Sequence, residues 1–174
     1  MRYALIAFTL LLAALLLAPS ARAQETGQAG LELGTNAIGV IWHLNDRIAI
    51  RPEGTFSFST GEITEATGWG LGVSVLFYLN HVDKLSTYFV PRFLYQRTTT
   101  SSSVSALGDL TSNAYDVSGS FGAQYALHRR FSVFGEVGLL IRDTNTNALS
   151  TFLSGTSTTT VRPQTGFGAI LYFK

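Results

Sequence analysis

Histidines and hydroxyl residues are the groups in this sequence best suited to acid–base or nucleophilic chemistry. The three histidines, His43, His81 and His128, are far apart in the chain, and each lies at or beside a short predicted turn. The hydroxyl-rich tracts, such as Ser101–Ser103 and the segment around Thr158, contain no histidine that could activate a nucleophile. The histidines also lack the spacing of a metal site. We therefore expect no catalysis, no metal and no other cofactor, with a carboxylate site in the long loops as a minor alternative.

Charged and amide side chains inside the predicted strands form the second chemically capable group. If the chain closes into a barrel, period-two alternation directs them into its lumen. This predicted polar network comprises Arg51, Glu53, Arg92, Gln96, Asp116, Gln124, Glu136, Arg142 and Arg162. Because an isolated buried charge is costly, Glu53 and Glu136 should each contact Arg51 or Arg92. The network would act either as a plug or as a gated polar path. We favour the plug, because a small barrel has room only for side chains.

The elements that position these residues are strands, since apolar and polar residues alternate along most of the chain after residue 24. Seven segments are clear, at 37–44, 47–59, 68–79, 86–97, 114–127, 131–142 and 159–173. An antiparallel meander closes with an even number of strands, so we predict an additional first strand at 28–33 with a tight tip at 34–36. A seven-strand sheet with parallel closure remains the alternative.

Short and long connections alternate between the predicted strands. Tight turns are expected at 45–46, 80–85 and 128–130, and long flexible loops at 60–67, 98–113 and 143–157. The pattern predicts an up-and-down antiparallel barrel with tight turns at one end and long loops at the other. The segment 98–113 is long enough either to cover the barrel mouth or to extend its hairpin.

The apolar face of the strands is expected to contact lipid rather than form a dry core. Charged residues make up 13% of the chain, about half the roughly 25% typical of soluble domains. Aromatic residues lie on the apolar face near both strand ends, as in the girdles of a transmembrane barrel. The girdle expected beside the short turns contains Trp42, Phe77, Phe89, Tyr125, Phe131 and Phe173, and the girdle beside the long loops contains Phe58, Trp69, Tyr95 and Tyr115.

The first 23 residues have the pattern of a secretory signal peptide. Arg2 precedes an apolar run of about fifteen residues, too short for a ~20-residue membrane helix, and Ala21–Ala23 forms a small-x-small cleavage pattern. Residues 24–174 would then form the mature barrel domain, with 10 basic and 11 acidic residues after loss of Arg2 and Arg22 from totals of 12 and 11. The near-neutral charge argues against nucleic-acid binding. The absence of cysteine excludes thiol enzymes and disulfide scaffolds.

Three segments resemble the eight-stranded outer-membrane β-barrel family that includes the small OmpA- and OmpX-like proteins. They are the strand-turn-strand runs Ala37–Phe58 and Tyr115–Ile141 and the terminal run Gly168–Phe173. The resemblance implies an outer-membrane location in a Gram-negative-type bacterium, with periplasmic termini and extracellular long loops. It also implies two partners, the membrane lipid and the barrel-assembly machinery, which would recognise the C-terminal strand.

The resemblance is specific for architecture and weak for function. The leading hypothesis is a structural or surface-contact barrel with a side-chain-filled lumen. The alternatives are a narrow pore for small solutes and an adhesin whose ligand binds the loops 98–113 and 143–157. A lipid-modifying enzyme is a remote further hypothesis.

Overall fold

In a computed structural model, the described residues 26–61, 64–102, 110–147 and 156–173 form one closed antiparallel β-barrel. Each strand pairs with its sequence neighbours, and the first strand pairs with the last. The strands are β1 (Ala29–Gly34), β2 (Ile38–His43), β3 (Ile48–Thr60), β4 (Thr64–Val82), β5 (Leu85–Ser102), β6 (Leu110–His128), β7 (Phe131–Asn147) and β8 (Thr156–Tyr172).

The prediction of an eight-stranded up-and-down barrel is confirmed, including its first strand. β1 pairs antiparallel with β8, from Gly30 opposite Tyr172 to Gly34 opposite Gly168. The seven-strand alternative with parallel closure is therefore wrong. Closure leaves no open sheet edge between β1 and β8 at this level, which a barrel in lipid requires. The predicted signal peptide, residues 1–23, lies outside the described residues.

The prediction of long flexible loops is corrected by the strand ends. β5 continues to Ser102 and β6 begins at Leu110, so both ends of the predicted 98–113 loop belong to one extended hairpin. The 143–157 segment is likewise strand at both ends, and only 61–63 separates β3 from β4. Residues 103–109 and 148–155 lie outside the described part. Threonine and serine favour paired strand over coil here because each hairpin extends an existing ladder.

The two faces of the barrel wall differ as the alternation predicts. Bulky apolar side chains point outward, where Val137 is 60% exposed and Val73 is 45% exposed. Arg51 and Glu53, by contrast, are buried inside. Such a continuous apolar exterior suits acyl chains rather than water. No helix among the described residues is long and apolar enough to cross a membrane.

Both predicted aromatic girdles project from the outer wall. At the long-hairpin end, Trp69, Tyr95 and Tyr115 form a continuous row across three adjacent strands, with ring centroids 5.8 and 5.3 Å apart. At the short-turn end, Trp42, Tyr125 and Phe173 are exposed on the outer face. Other phenylalanines are also exposed on the outer face, at Phe56, Phe93, Phe121 and Phe167; Phe56 pairs in register with Trp69, and Phe121 with Phe89. Amphipathic rings at both ends fit the two lipid–water interfaces.

The rim at the long-hairpin end is uneven. β1 and β2 have six residues each, whereas β4 to β8 have 17 to 19. Above the short β1–β2 hairpin, residues 55–60 of β3 pair with β4, and residues 157–164 of β8 pair with β7. Among the described residues, neither segment has a strand partner on its other side. A notch flanked by two strand edges therefore lies above the β1–β2 hairpin.

Candidate functional site

The lower lumen, at the short-turn end, is packed with apolar and aromatic side chains. Ile41 and Ala49 are completely buried, and Leu76 and Ile170 are nearly so. The other members of this cluster are Tyr78, Tyr88, Val90, Phe134 and Tyr172. Strand alternation directs all of them inward, so the described side chains fill the bore at this level.

Polar groups of the lower lumen bond to one another between these apolar residues. The Tyr78 hydroxyl donates to Gln124 Oε1 at 3.1 Å, and Gln124 Nε2 donates to the Tyr172 hydroxyl oxygen at 3.0 Å. His43 Nε2 lies 3.3 Å from the same hydroxyl. The predicted network residue Gln124 therefore ties three strands together beneath the charged residues.

Above the lower lumen lies the carboxylate–arginine cluster, formed by Glu32, Arg51, Glu53, Arg92 and Glu136. Arg51 Nη1 is 2.9 Å from both Glu32 Oε1 and Glu136 Oε1. Arg51 Nε lies 3.7 Å from Glu53 Oε2. One guanidinium from β3 thus joins carboxylates from β1 and β7 across the bore.

Arg92 completes this cluster from β5. Its Nε donates to Glu53 Oε1, which also accepts from the Ser74 hydroxyl at 3.1 Å. The Tyr88 hydroxyl donates to Glu136 Oε1 at 3.0 Å. Each carboxylate thus has the expected contact with Arg51 or Arg92, since Glu53 contacts both arginines and Glu136 contacts Arg51. Multiple hydrogen bonds offset the desolvation that these buried charges would otherwise suffer.

The upper vestibule is a cavity of about 120 Å³ above the cluster, at the long-hairpin end. On its wall, Arg142 makes two bonds to Asp116, Nε–Oδ1 at 2.7 Å and Nη2–Oδ2 at 2.5 Å. Arg142 Nη2 also donates to Gln96 Oε1 at 2.6 Å. Arg162 borders the same cavity with an exposed side chain. The other residues that line the cavity are Asn36, Arg92, Leu94, Leu140 and Gln164.

The structure places the nine predicted network residues at three heights along the inner wall. Gln124 lies in the lower lumen, four residues lie at or beside the upper vestibule, and Arg51, Glu53, Arg92 and Glu136 form most of the cluster. Sequence reasoning missed Glu32, Ser74 and Tyr88 as partners. The signal for Glu32 was available, since it lies between Leu31 and Leu33 in an alternating strand.

Glycines on the inner face make room for the aromatic side chains of the lower lumen. A Cβ atom at Gly122 would overlap the Tyr88 ring. A Cβ at Gly30 would lie 2.8 Å from Tyr172 Cδ1, and one at Gly168 would lie 2.8 Å from Phe134 Cε1. These contacts are too close for a methyl group. Small residues on one strand therefore accommodate large residues on another.

The histidines lie at the short-turn end of the barrel. His43 is buried in the lower lumen, His81 contacts the Ser86 hydroxyl through Nδ1 at 2.9 Å, and His128 ends β6. Within the described ranges, no three histidine or carboxylate side chains are grouped as a metal site would require. The arrangement can hold charges, donate hydrogen bonds and exclude solvent.

No protein-family model and no curated protein sequence matches this chain. Among solved structures, Ail, the attachment invasion locus protein of Yersinia pestis, shares 13% identity over 85% of this chain and 99% of its own, with a TM-score of 0.44. Acinetobacter baumannii CarO shares 11% identity over 85% and 98% of the two chains, with a TM-score of 0.42. CarO2 of the same organism shares 12% over 84% and 97%, with a TM-score of 0.41. None of these similarities assigns a function to this chain.

Proposed function

We propose that the chain is an integral outer-membrane barrel with a structural role in the envelope and a lumen that does not conduct. The observation that carries this proposal is the filled lower lumen, where Ile41, Leu76 and Ile170 are at most 2% exposed. A conducting path would have to displace these side chains and also break the cluster around Arg51. An eight-stranded barrel offers no spare width for either.

The outward face supports insertion into a bilayer. Moving an outward valine or leucine from lipid to water would cost about 25 cal/mol of free energy for each Å² of apolar surface exposed. The paired aromatic girdles suit the two interfaces. Closed β-barrels of this kind lie in the outer membrane, and a protein must be exported to reach it. Residues 1–23 would provide the export signal.

Orientation follows from which features share one end. The start of β1 and the end of β8 pair side by side at the end where the short turns lie. Termini and short turns would face the periplasm, and the long hairpins would face outward, as in barrels of this type. The barrel-assembly machinery would recognise the C-terminal strand β8, which ends at Tyr172 and is followed directly by Phe173.

The proposal excludes a catalytic role. The histidines lie at the short-turn end, with His43 buried, while hydroxyl-rich segments occupy the other end. A base must lie within hydrogen-bond reach of the group it activates. Mass analysis of lipid A with and without expression of the chain should show no new modification, and a mass change dependent on this protein would contradict this part.

Conductance in planar bilayers tests the closed lumen. Folding is first established by a mobility difference between boiled and unboiled samples on a denaturing gel. Folded wild-type protein should then show no discrete channels. Discrete channels that Glu53→Gln alters would instead support the narrow-pore alternative, because Glu53 lies in the bore and borders its small enclosed space.

A surface-contact role is the second candidate, favoured by the two strand edges beside the notch. Unpaired backbone N–H and C=O groups on an exposed edge can pair with an extended segment of another protein. The β8 edge at 157–164 is exposed along most of its length. On this proposal, the ligand expected at 98–113 and 143–157 would contact those two hairpins and also the strand edges at 55–60 and 157–164.

Substitution at one edge tests this second role. Thr158→Lys places a charge on β8 beside the notch, whereas Thr144→Lys changes its register partner on β7, which is paired on both sides. Thr158→Lys should reduce binding to cells or matrix while Thr144→Lys leaves it intact. Deletion of residues 101–109 should also reduce binding without loss of folding. Equal binding by all three variants would contradict a contact role.

A further inference from the structure

The charges of the lumen are distributed unequally along its length. The carboxylate–arginine cluster contains three carboxylates and two guanidiniums, Arg51 and Arg92. The upper vestibule above it shares Arg92 with the cluster and is otherwise bordered by two arginines, Arg142 and Arg162, and by one carboxylate, Asp116. Positive charge therefore exceeds negative charge on the vestibule wall.

Only part of this positive charge is neutralised by protein groups. Asp116 is fully engaged by Arg142 through two hydrogen bonds. Among the described residues, no carboxylate lies within ion-pair distance of Arg162. Arg162 is thus a cation that faces the cavity with no charge partner in this part of the chain.

Arg92 supplies a second unsatisfied donor. Its side chain is 9% exposed, and its Nε is engaged by Glu53 below. Its Nη2, however, is buried and has no hydrogen-bond partner. Because Nη2 is buried, a bound oxyanion would reach it only after the Arg92 guanidinium turns toward the cavity. The gain would be the hydrogen bond that this N–H lacks.

Size and donor chemistry point to the same class of ligand. A cavity of about 120 Å³ has room for several water molecules or for one tetrahedral oxyanion. Planar guanidinium groups bind oxyanions through paired, charge-assisted hydrogen bonds. Gln96 and Gln164 also border the cavity, and Gln96 already accepts from Arg142 through its oxygen, which leaves its amide nitrogen to donate.

We propose that the upper vestibule binds one small oxyanion of the phosphate or sulfate class between Arg92 and Arg162. Arg142 pairs with Asp116, which also borders the cavity, and so offsets its negative charge. The site requires no passage through the barrel. It is therefore independent of whether the lumen conducts, and its failure would leave the proposed structural role untouched.

Calorimetric titration of the folded full-length barrel in detergent micelles tests this site. Inorganic phosphate is added at constant ionic strength, with chloride as the reference anion. Wild-type protein should bind phosphate in a saturable manner with one site per chain. Sulfate should compete, because both anions present tetrahedral oxygens, and chloride should not.

Three variants locate the site. Arg162→Gln removes the rim cation without touching a described ion pair and should weaken binding by about tenfold or more. Arg97→Gln is the matched control, since it removes an exposed positive charge from β5 outside the cavity, and should change affinity less than twofold. The double variant Glu53→Gln/Arg92→Gln removes the deeper donor while leaving no lone charge, and should also weaken binding. Absence of saturable wild-type binding, or equal weakening by Arg97→Gln and Arg162→Gln, would overturn the proposal.

Discussion

The lower lumen and the upper vestibule lie in the same bore but have opposite construction. In the lower lumen, buried rings and aliphatic chains leave Gln124, His43 and two tyrosine hydroxyls bonded to one another. In the upper vestibule, arginine side chains border an open cavity, and Arg162 reaches solvent. The difference indicates that the lower half stabilises the barrel, whereas the upper half can accept a ligand at little cost to stability.

The largest expected effect comes from Arg51. Replacement by methionine leaves Glu32, Glu53 and Glu136 buried without their shared cation, so the free energy of unfolding should fall by about 3–5 kcal/mol. Urea unfolding in micelles, followed by the fluorescence of Trp42 and Trp69, measures this loss. Arg162→Met, at the exposed rim, should change stability by less than about 0.5 kcal/mol. Comparable losses for the two variants would remove the contrast between cluster and rim.

Glycine replacement tests how tightly the lower lumen is filled. Gly122→Ala places a methyl group against the Tyr88 ring and should destabilise the barrel by about 1–3 kcal/mol. Gly119→Ala is the matched control on the outer face of the same strand, where a Cβ would be 3.4 Å from Phe89 Cζ. If Gly122→Ala left the free energy of unfolding unchanged, the lower lumen would not be tightly packed beside Tyr88.

Removal of one tyrosine hydroxyl at each end of the barrel compares the two ends on a smaller scale. Tyr172→Phe removes the acceptor of the buried Gln124 amide and should cost about 1 kcal/mol of unfolding free energy. Tyr95→Phe removes a bond to Asn113 near the outer rim, where solvent can replace it. We expect the second loss to be smaller when both are measured by the same urea titration. The opposite order would contradict a polar network that stabilises the lower lumen.

The smallest effect should also depend on salt. Arg142→Gln removes the charge that faces Asp116 but keeps an amide donor. The arginine side chain is 29% exposed and the aspartate side chain 6% exposed, so the cost should be at most about 1 kcal/mol at low salt. Molar salt screens exposed charges more than buried ones, so this cost should shrink while that of Arg51→Met persists. If the stability losses of Arg142→Gln and Arg51→Met depended equally on salt, the Arg142–Asp116 pair would be as shielded from solvent as the carboxylate–arginine cluster.

The alternation of residue types was sufficient to predict the barrel and the faces of its wall. Trp69, Val73 and Arg51 each project to the side that period two assigns, because neighbouring side chains in a strand must point oppositely. The first strand was predictable from the parity of closure. Strand ends such as Ser102 were not, since serine and threonine tracts suit solvated loops and paired hairpins equally well.

Partner choice inside the lumen was less accessible from sequence. Arg51 contacts Glu32 and Glu136, 19 and 85 residues away along the chain. These contacts depend on the stagger between strands and on how β1 closes against β8, which no local pattern encodes. Sequence likewise does not show that Arg92 Nη2 lacks a hydrogen-bond partner, because this depends on how Glu53, on another strand, approaches the guanidinium.

Quenching of the two native tryptophans by brominated lipids tests the central assignment of an apolar exterior and a polar interior. Trp42 and Trp69 both project from the outer wall, one near each end of the barrel. In vesicles, both should be quenched, more strongly by bromines near the lipid carbonyls than by bromines at the bilayer centre. Fluorescence of the folded protein that is insensitive to bromines at every depth would contradict the assignment.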